Sequence, residues 1–270
     1  MNLVTLNSND NNSTVKIVAG ELVSYIVHGE EIMHQKGNPG WRNTDTEMFP
    51  IIGPTAEADF TVSTPKGNCI QDQHGVLREL KYTLIYSNST SAVYQKAYIA
   101  NTKIKNSKYP EKSTEETVFW PYSFNFKKTV ELTNTSLKII FEIEAEKGMP
   151  FMLGYHPAFM LNGNLDEFIK VENKEITIPI IMKGGDTAFP ILNTNEIKLM
   201  KTTGLNINIQ TAGFYNFMLW TPVSTMLCIE PITAYPYTEG EFLSEKLFMK
   251  SSGMDIFEVL ITPQITPVPK

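Results

Sequence analysis

The sequence predicts an all-β protein, specifically a large antiparallel β-sandwich. Apolar and polar residues alternate with a period of two in many segments, these segments are rich in Val, Ile, Thr, Tyr and Phe, and helical periodicity is nearly absent. Such alternation is typical of strands that bury one face. The chain has 270 residues, of which 42% are hydrophobic, so it is long enough to bury a large core. We therefore expect one domain that spans residues 1–270.

The alternating segments are separated by small polar or glycine-containing breaks, as expected for successive hairpins. Only two short stretches favour a helix, one near Asp166 to Phe168 and one near Ser244 to Phe248. The predicted strands cover residues 16–29, 80–90, 91–100, 124–134, 136–146, 175–183, 196–201, 205–213, 214–222, 224–231 and 255–263.

Composition excludes several classes of function. The net charge is −6 and the lysines around Lys103 to Lys112 are scattered, so no basic patch predicts nucleic acid as a partner. The first residues are polar, and no apolar run approaches the ~18 residues of a membrane span. We expect a cytoplasmic protein without a membrane partner. Cys69 and Cys228 are far apart in strand-like surroundings, which is more typical of reduced buried thiols than of a disulfide.

Three titratable residues lie beside glycine or proline, where the backbone turns or ends a strand. His74 precedes a glycine, and Arg78 follows four residues later at the predicted start of a strand. His156 precedes a proline, which favours an extended or turning backbone at the histidine. Glu230 closes an apolar strand and is also followed by a proline. A carboxylate at the end of a buried strand has a raised pKa, as a general base near neutral pH requires.

Each of these residues also has a structural interpretation, because single histidines on strands and Glu-Pro pairs at strand ends are common without catalysis. Two histidines and a glutamate also suit a divalent metal, but each histidine stands alone, without the close His-x-His pair of cupin-type sites. We therefore predict no metal site. The chain has neither a G-x-S-x-G elbow nor a glycine-rich phosphate loop.

Five motifs occur in an order that resembles the aldose 1-epimerase (galactose mutarotase) superfamily, in particular its bacterial aldose-epimerase-like branch. Together they extend over most of the chain, although each one is short. They are AGELVS at 19–24, GWRNTDTEMFPIIGP at 40–54, QHGVLR at 73–78, GYHPAF at 154–159 and LWTPVSTMLCIEP at 219–231.

The resemblance implies a β-supersandwich with a sugar substrate in an open cleft and a mechanism that needs no cofactor. By similarity, Glu230 would be the general base at the anomeric hydroxyl and His156 the general acid at the ring oxygen. His74 would position the sugar. Arg42 and Arg78 match other family positions and would supply substrate binding. The chain would act as a monomer or homodimer.

One departure from the family pattern concerns Pro54, which replaces the arginine of F-P-x-x-G-R. Proline offers neither charge nor donor for sugar hydroxyls. Ile232 likewise replaces a tryptophan, and a tyrosine-rich segment at 234–240 follows it. The leading hypothesis is an aldose 1-epimerase. The alternatives are a catalytically weak or inactive sugar-binding protein on the same fold, and a structural or interaction sandwich in which the histidines are incidental.

Overall fold

The computed structural model describes residues 3–237 and 243–266, and strands make up nearly half of these residues. The strands, numbered in chain order, are β1 Leu3–Asn7, β2 Ser13–Val18, β3 Glu21–Val27, β4 Glu30–Glu31, β5 Glu47–Met48, β6 Thr61–Thr64, β7 Gly67–Ile70, β8 Thr83–Ser87, β9 Ser91–Tyr98, β10 Ile104–Lys105, β11 Thr117–Val118, β12 Phe124–Leu132, β13 Leu137–Ala145, β14 Pro150–Phe151, β15 Gly154–Tyr155, β16 Ala158–Met160, β17 Phe168–Val171, β18 Lys174–Thr177, β19 Phe189–Leu192, β20 Glu196–Met200, β21 Leu205–Ala212, β22 Asn216–Trp220, β23 Met226–Ile232, β24 Met249–Lys250 and β25 Met254–Ile265. Helical segments are short: α1 Ile178–Met182 and the 3-10 turns Ala56–Ala58, Val76–Glu79 and Glu245–Leu247.

A nine-stranded antiparallel sheet forms the larger layer, in the order β18-β17-β20-β21-β25-β13-β12-β9-β8. Its central hairpin, β12 and β13, follows the predicted alternation, so that Val130, Ile139 and Phe141 all lie on the buried face. These side chains are apolar and β-branched or aromatic, which suits a half-buried pleated surface. The sandwich predicted from the sequence is confirmed by this sheet and the one that packs against it.

The second large sheet has six strands, in the order β19-β22-β23-β15-β5 with β16 also paired to β23. Phe141 of β13 contacts Tyr155 of β15, with ring centroids 5.2 Å apart, and the largest cluster of buried apolar residues includes strands of both sheets. The core therefore lies between the two layers. A four-stranded sheet, β1 to β4, and three two-stranded sheets complete the described structure.

The structure corrects three sequence predictions. The predicted strand 175–183 ends at Thr177 and continues as helix α1, which carries a proline in its first turn, where no backbone donor is needed. No helix forms at 166–168, where Phe168 instead begins β17. The predicted run 16–29 is split into β2 and β3 by a turn at Gly20, whose φ is +86°.

Other local predictions hold. The candidate helix at 244–248 is present as the 3-10 turn Glu245–Leu247. Cys69 and Cys228 are both buried and free. Among the described residues, no helix combines the length and the apolar character that a membrane span requires.

Candidate active site

His156 lies in the two-residue gap between β15 and β16, directly across from Glu230 on β23. Gly154 pairs with Ile232 and Ala158 pairs with Cys228, so His156 is midway between these pairs and faces Glu230. Its backbone is held from the other side, where His156 N–H donates to the Thr46 carbonyl over 2.8 Å. The antiparallel register thus brings together two residues that are far apart in sequence.

The two side chains form a buried pair. Nε2 of His156 lies 3.3 Å from Oε1 of Glu230, and the side chains are 8% and 2% exposed. Burial raises the pKa of Glu230 well above its ordinary value. Burial, helped by the nearby His74, lowers the pKa of His156 well below its ordinary value. Both shifts favour the uncharged form of each group, because a charged group loses hydration in the interior.

His74 lies on a tight turn that a neighbouring glycine permits. Gly75 has a φ of +73°, and a Cβ at this position would lie 2.2 Å from the carbonyl oxygen of Phe49. Phe49 N–H in turn donates to the His74 carbonyl over 3.1 Å. The turn places the imidazole of His74 beside that of His156, with ring centroids 5.8 Å apart. Only glycine fits this close backbone approach.

Arg78 lies behind His74. Its Nη1 is 2.7 Å from Nδ1 of His74, and its Nη2 is 3.1 Å from Oδ1 of Asp72. The sequence-based placement of Arg78 at the start of a strand is wrong, because Arg78 belongs to the 3-10 turn Val76–Glu79. This turn points the guanidinium back at His74, four residues earlier. Burial, together with the charge of Arg78, lowers the pKa of His74, while Asp72 opposes the shift.

Two tryptophans that the sequence analysis did not single out as site residues enclose His156. Trp41 stacks on the imidazole with ring centroids 4.3 Å apart and an interplanar angle of 26°. Trp220 meets it edge-on at 6.3 Å. The segment of Trp41 is fixed by His34, whose Nε2 lies 2.8 Å from the Trp41 carbonyl oxygen. His34 is itself buried.

These residues surround a cavity of about 430 Å³, a size suited to a small ligand. The predicted residues that line it are His74, His156 and Glu230, together with Pro54. Lys108, Lys112, Asp186, Tyr237 and the two tryptophans also line it. Tyr237 belongs to the tyrosine-rich segment that the sequence analysis noted, of which Thr238 to Gly240 lie outside the described residues.

The two predicted substrate-binding arginines lie outside this lining. Arg42 is exposed, and Arg78 contacts two residues of the lining, His74 and Asp72. The charge of Arg42 nevertheless affects Lys108, which lines the cavity. Burial and the positive charges of Arg78, Lys112 and Arg42 lower the pKa of Lys108, while Asp72 opposes them. Lys108 and Lys112 thus bring positively charged side chains to one part of a lining that also contains Asp72 and Asp186.

A cluster of buried charged residues, Asp45, Glu47, Lys96 and Lys128, lies behind the site. Lys128 is fully buried, with Nζ 2.6 Å from Oδ2 of Asp45 and 2.8 Å from Oε1 of Glu47. Burial raises the pKa of Asp45 to about 6 against the attraction of Lys128. Asp45 and Glu47 flank Thr46, whose carbonyl accepts the hydrogen bond from His156 N–H. The buried ion cluster therefore connects Lys128 of the nine-stranded sheet to the segment that supports the histidine.

One further side chain lies beside the pair. Cys228 is two residues before Glu230 on β23 and points to the same face of the strand. One ring nitrogen of His156, Sγ of Cys228 and a carboxylate oxygen of Glu230 all lie within 4.8 Å of one another. Among the described residues, this is the group of possible metal ligands that the fold brings together. From the sequence, Cys228 is predicted only as a buried thiol.

Comparison with known proteins gives a family match. The family profile of aldose 1-epimerase matches residues 2–213 of the chain. The matched range contains His74 and His156 and ends before Glu230. A search of curated proteins found no match.

Several solved structures have a similar fold. A galactose mutarotase-like protein from Lactobacillus casei ATCC 334 has a TM-score of 0.78 and 15% identity, and the alignment covers 97% of this chain and 100% of that one. A galactose mutarotase related enzyme from Lactobacillus acidophilus has a TM-score of 0.71 and 17% identity, with 97% of each chain covered. A GalM/aldose epimerase homologue from C. elegans has a TM-score of 0.63 and 10% identity, with 98% and 99% covered. At these identities the likeness establishes the fold alone.

Proposed function

The chain belongs to the aldose 1-epimerase family, and from this premise we propose that it interconverts the α and β anomers of an aldose by acid–base opening and reclosure of the sugar ring. The observation that carries the proposal is the buried pair of His156 and Glu230, 3.3 Å apart in a sugar-sized cavity. Ring opening requires one group to take a proton and another to give one. It changes no oxidation state, so these side chains supply all the chemistry it needs.

In the proposed reaction Glu230 removes the proton from the C1 hydroxyl. The C1 oxygen forms a carbonyl, the C1–O5 bond breaks, and O5 receives a proton from His156. The open aldehyde turns about the C1–C2 bond, and O5 then attacks the other face of C1. His156 takes back the O5 proton while Glu230 returns its proton to the C1 oxygen, so the enzyme ends in its starting state.

The pair starts this cycle with one proton shared between its members. Burial favours a protonated Glu230 and a neutral His156, whereas the reaction needs a carboxylate and an imidazolium. Both forms contain the same number of protons, and they differ only by transfer of one proton across the 3.3 Å contact. Polar sugar hydroxyls that enter the cavity stabilise the charged form, so substrate binding would promote the active state.

His74 has a separate role in this proposal. Arginine is always a donor, so Nδ1 of His74 accepts the hydrogen bond from Arg78 and the neutral ring carries its proton on Nε2. That N–H is then available to a sugar oxygen in the cavity that His74 lines. His74 would hold the ring oxygen or a neighbouring hydroxyl in place, and Arg78 would fix the tautomer that does so.

The remaining lining suggests how the sugar is held. Trp41 and Trp220 offer apolar surface for sugar C–H groups. Lys108 and Lys112 supply hydrogen-bond donors and positive charge on another part of the wall. An aldose with an anionic substituent is therefore tested beside neutral sugars, because the lysines would favour it.

A second candidate is a protein that binds sugar without accelerating its mutarotation. Pro54 favours this candidate, because it lines the cavity where the family pattern has an arginine. The acid and base positions are intact, so we give the catalytic function precedence. Saturable binding of a sugar in calorimetry, without a change in mutarotation rate, distinguishes this candidate from the enzyme.

The test is polarimetry of freshly dissolved α-D-glucose, α-D-galactose and α-D-glucose 6-phosphate in weak buffer. We expect the intact protein to accelerate mutarotation of at least one sugar. His156→Ala and Glu230→Gln should abolish the acceleration, whereas His28→Ala, which changes an exposed histidine on a distant turn, should keep it. A Glu230→Gln variant with the full rate would overturn the assignment of the base.

A further inference from the structure

The face of β23 that carries Glu230 also presents a thiol to the catalytic pair. Residues two apart on a strand share a face, so Cys228 and Glu230 point the same way. His156 lies next to them, on the neighbouring segment that pairs with β23. One possible ligand atom from each of the three side chains lies within 4.8 Å of the other two. All three side chains are buried.

These side chains have unused bonding capacity. Nδ1 of His156 is buried and has no hydrogen-bond partner in the described structure. Sγ of Cys228 likewise forms no hydrogen bond within the described residues, whereas the other cysteine, Cys69, donates to the Val62 carbonyl over 3.3 Å. Buried polar atoms in native structures normally have partners, so an unpaired buried ring nitrogen is an observation that requires a cause.

The three ligand types are those that zinc prefers. Imidazole nitrogen, thiolate sulfur and carboxylate oxygen bind Zn²⁺ at about 2.0–2.3 Å in a tetrahedral arrangement, which places neighbouring ligand atoms roughly 3.3–3.8 Å apart. The present separations are at most 4.8 Å, so side-chain rotations of about 1 Å bring the atoms into range. His156 and Glu230 line the cavity, which leaves a fourth position for water or a sugar oxygen.

We propose that His156, Cys228 and Glu230 form a binding site for Zn²⁺ or a cation of similar softness, and that an ion bound there inhibits the enzyme. The inhibition rests on the proposed function, but the metal binding does not. On binding, the thiol of Cys228 releases its proton to solvent, a proton held by Glu230 is also released, and bonds form from the metal to sulfur, nitrogen and oxygen without any change of oxidation state. The ion then occupies both the acid and the base, and mutarotation stops.

Cadmium binding tests the site directly, since a Cd²⁺–thiolate bond gives a charge-transfer absorption in the ultraviolet. We expect Cd²⁺ to produce this band at one equivalent in the intact protein. Cys69→Ala is the matched control, because it removes the other buried free thiol, and it should keep the band. Cys228→Ala should lose it. Cys228→Ser, which is closer in size to cysteine, guards against a packing defect and should lose it as well.

Inhibition by Zn²⁺ is a second measurement, made as the ratio of rates with and without the ion. We expect micromolar Zn²⁺ to slow the intact protein and Cys69→Ala, and a chelator to restore the rate. Cys228→Ala should raise the Zn²⁺ concentration needed for inhibition. The increase should exceed the roughly 10–100-fold loss of metal affinity that removal of an outer-shell partner causes, because Cys228 binds the ion directly. Mg²⁺, a hard cation that prefers oxygen ligands, should have no effect.

Two results would overturn the proposal. One is an absent cadmium band in the intact protein, and the other is an equal band in Cys228→Ala. A protein that binds cadmium through Cys228 but accelerates no sugar would keep the metal site and reject the enzymatic function. The absorption measurement thus separates failure of the metal site from failure of the proposed activity.

Discussion

Nη1 of Arg78 lies 2.7 Å from Nδ1 of His74, and the same guanidinium contacts Asp72 at 3.1 Å. Because arginine has no acceptor and keeps its proton, the hydrogen bond assigns Nδ1 of His74 as an acceptor. The positive charge also opposes protonation of the imidazole and is one of the causes of its lowered pKa. Arg78 therefore controls both the tautomer and the charge of His74.

Replacing Arg78 with Met should lower kcat/KM on the order of tenfold to 100-fold, because a loosely oriented histidine no longer holds the sugar in reacting geometry. It should also move the acid limb of the pH–rate profile to higher pH. The sign follows from the charge: without the guanidinium the pKa of His74 rises, so the neutral ring needs a higher pH. The measurement is the pH dependence of kcat/KM by polarimetry.

Arg78→Lys is the control for this effect, since lysine keeps the charge but not the planar fork. We expect it to lose rate while its acid limb stays near that of the wild type. An acid limb that is the same in Arg78→Met and in wild type would show that Arg78 does not set the protonation of His74.

Glu230→Gln should stabilise the fold increasingly as pH rises. Burial raises the pKa of Glu230, so between the unfolded value near 4.5 and the raised value the folded protein binds more protons than the unfolded chain. The contribution of Glu230 to the free energy of unfolding of the wild type is therefore fully present at low pH. It falls as pH rises, by up to about 1.4 kcal/mol per pH unit. Glutamine does not ionise. Urea denaturation at about pH 5 and about pH 8 gives the free energy of unfolding of both proteins. The difference, Glu230→Gln minus wild type, should be larger at the higher pH.

Glu144→Gln provides the comparison, because Glu144 is an exposed carboxylate on β13. The stability of Glu144→Gln relative to the wild type should differ little between the two pH values. If Glu230→Gln behaved in the same way, the carboxyl group of Glu230 would be solvated in the folded protein.

The sequence alone predicted those features of the fold that depend on local patterns. Alternation in residues 124–134 predicted β12, which the structure places at Phe124–Leu132. The same pattern failed at 175–183, where isoleucines favoured a strand but a proline at 179 begins helix α1. Local preference was ambiguous there, and the packing of Ile178 and Ile181 into the core accompanies the helix.

For the candidate site, sequence signals identified the residues at chain turns but not their surroundings. Glycine or proline marked His74, His156 and Glu230. Trp41 lies in a loop, and its stacking on His156 depends on which segments of the fold become neighbours, so no short motif encodes it. Lys128 has a local signal in the sequence: it alternates in phase with the buried residues of β12, which places a lysine on the core face.

Lys128→Met should destabilise the protein by about 3–5 kcal/mol, because it leaves the buried carboxylates of Asp45 and Glu47 without their main counter-ion. Lys127 is the matched control: it is adjacent on the same strand, its side chain is 40% exposed, and it forms an ion pair with Glu142. Lys127→Met should cost about 0.2–1 kcal/mol. Urea denaturation of both variants gives the comparison, and similar losses would contradict a central role for the buried ion cluster.

Pro54→Arg should strengthen sugar binding. Pro54 lines the cavity and offers it neither charge nor donor, and its backbone is fixed by Gly53, where a Cβ would lie 2.1 Å from Pro236. An arginine here would add charge-assisted hydrogen bonds to sugar hydroxyls, of which one contributes about 1.5–3 kcal/mol. This binding is the same for the ground state and the transition state, so KM should fall about tenfold while kcat stays nearly constant.

Pro54→Ala, which removes the ring without adding a donor, should leave KM near the wild-type value. An equal KM for the Arg and Ala variants would mean that the bound sugar does not reach this wall of the cavity, and calorimetry with the same sugar would show whether affinity is also unchanged.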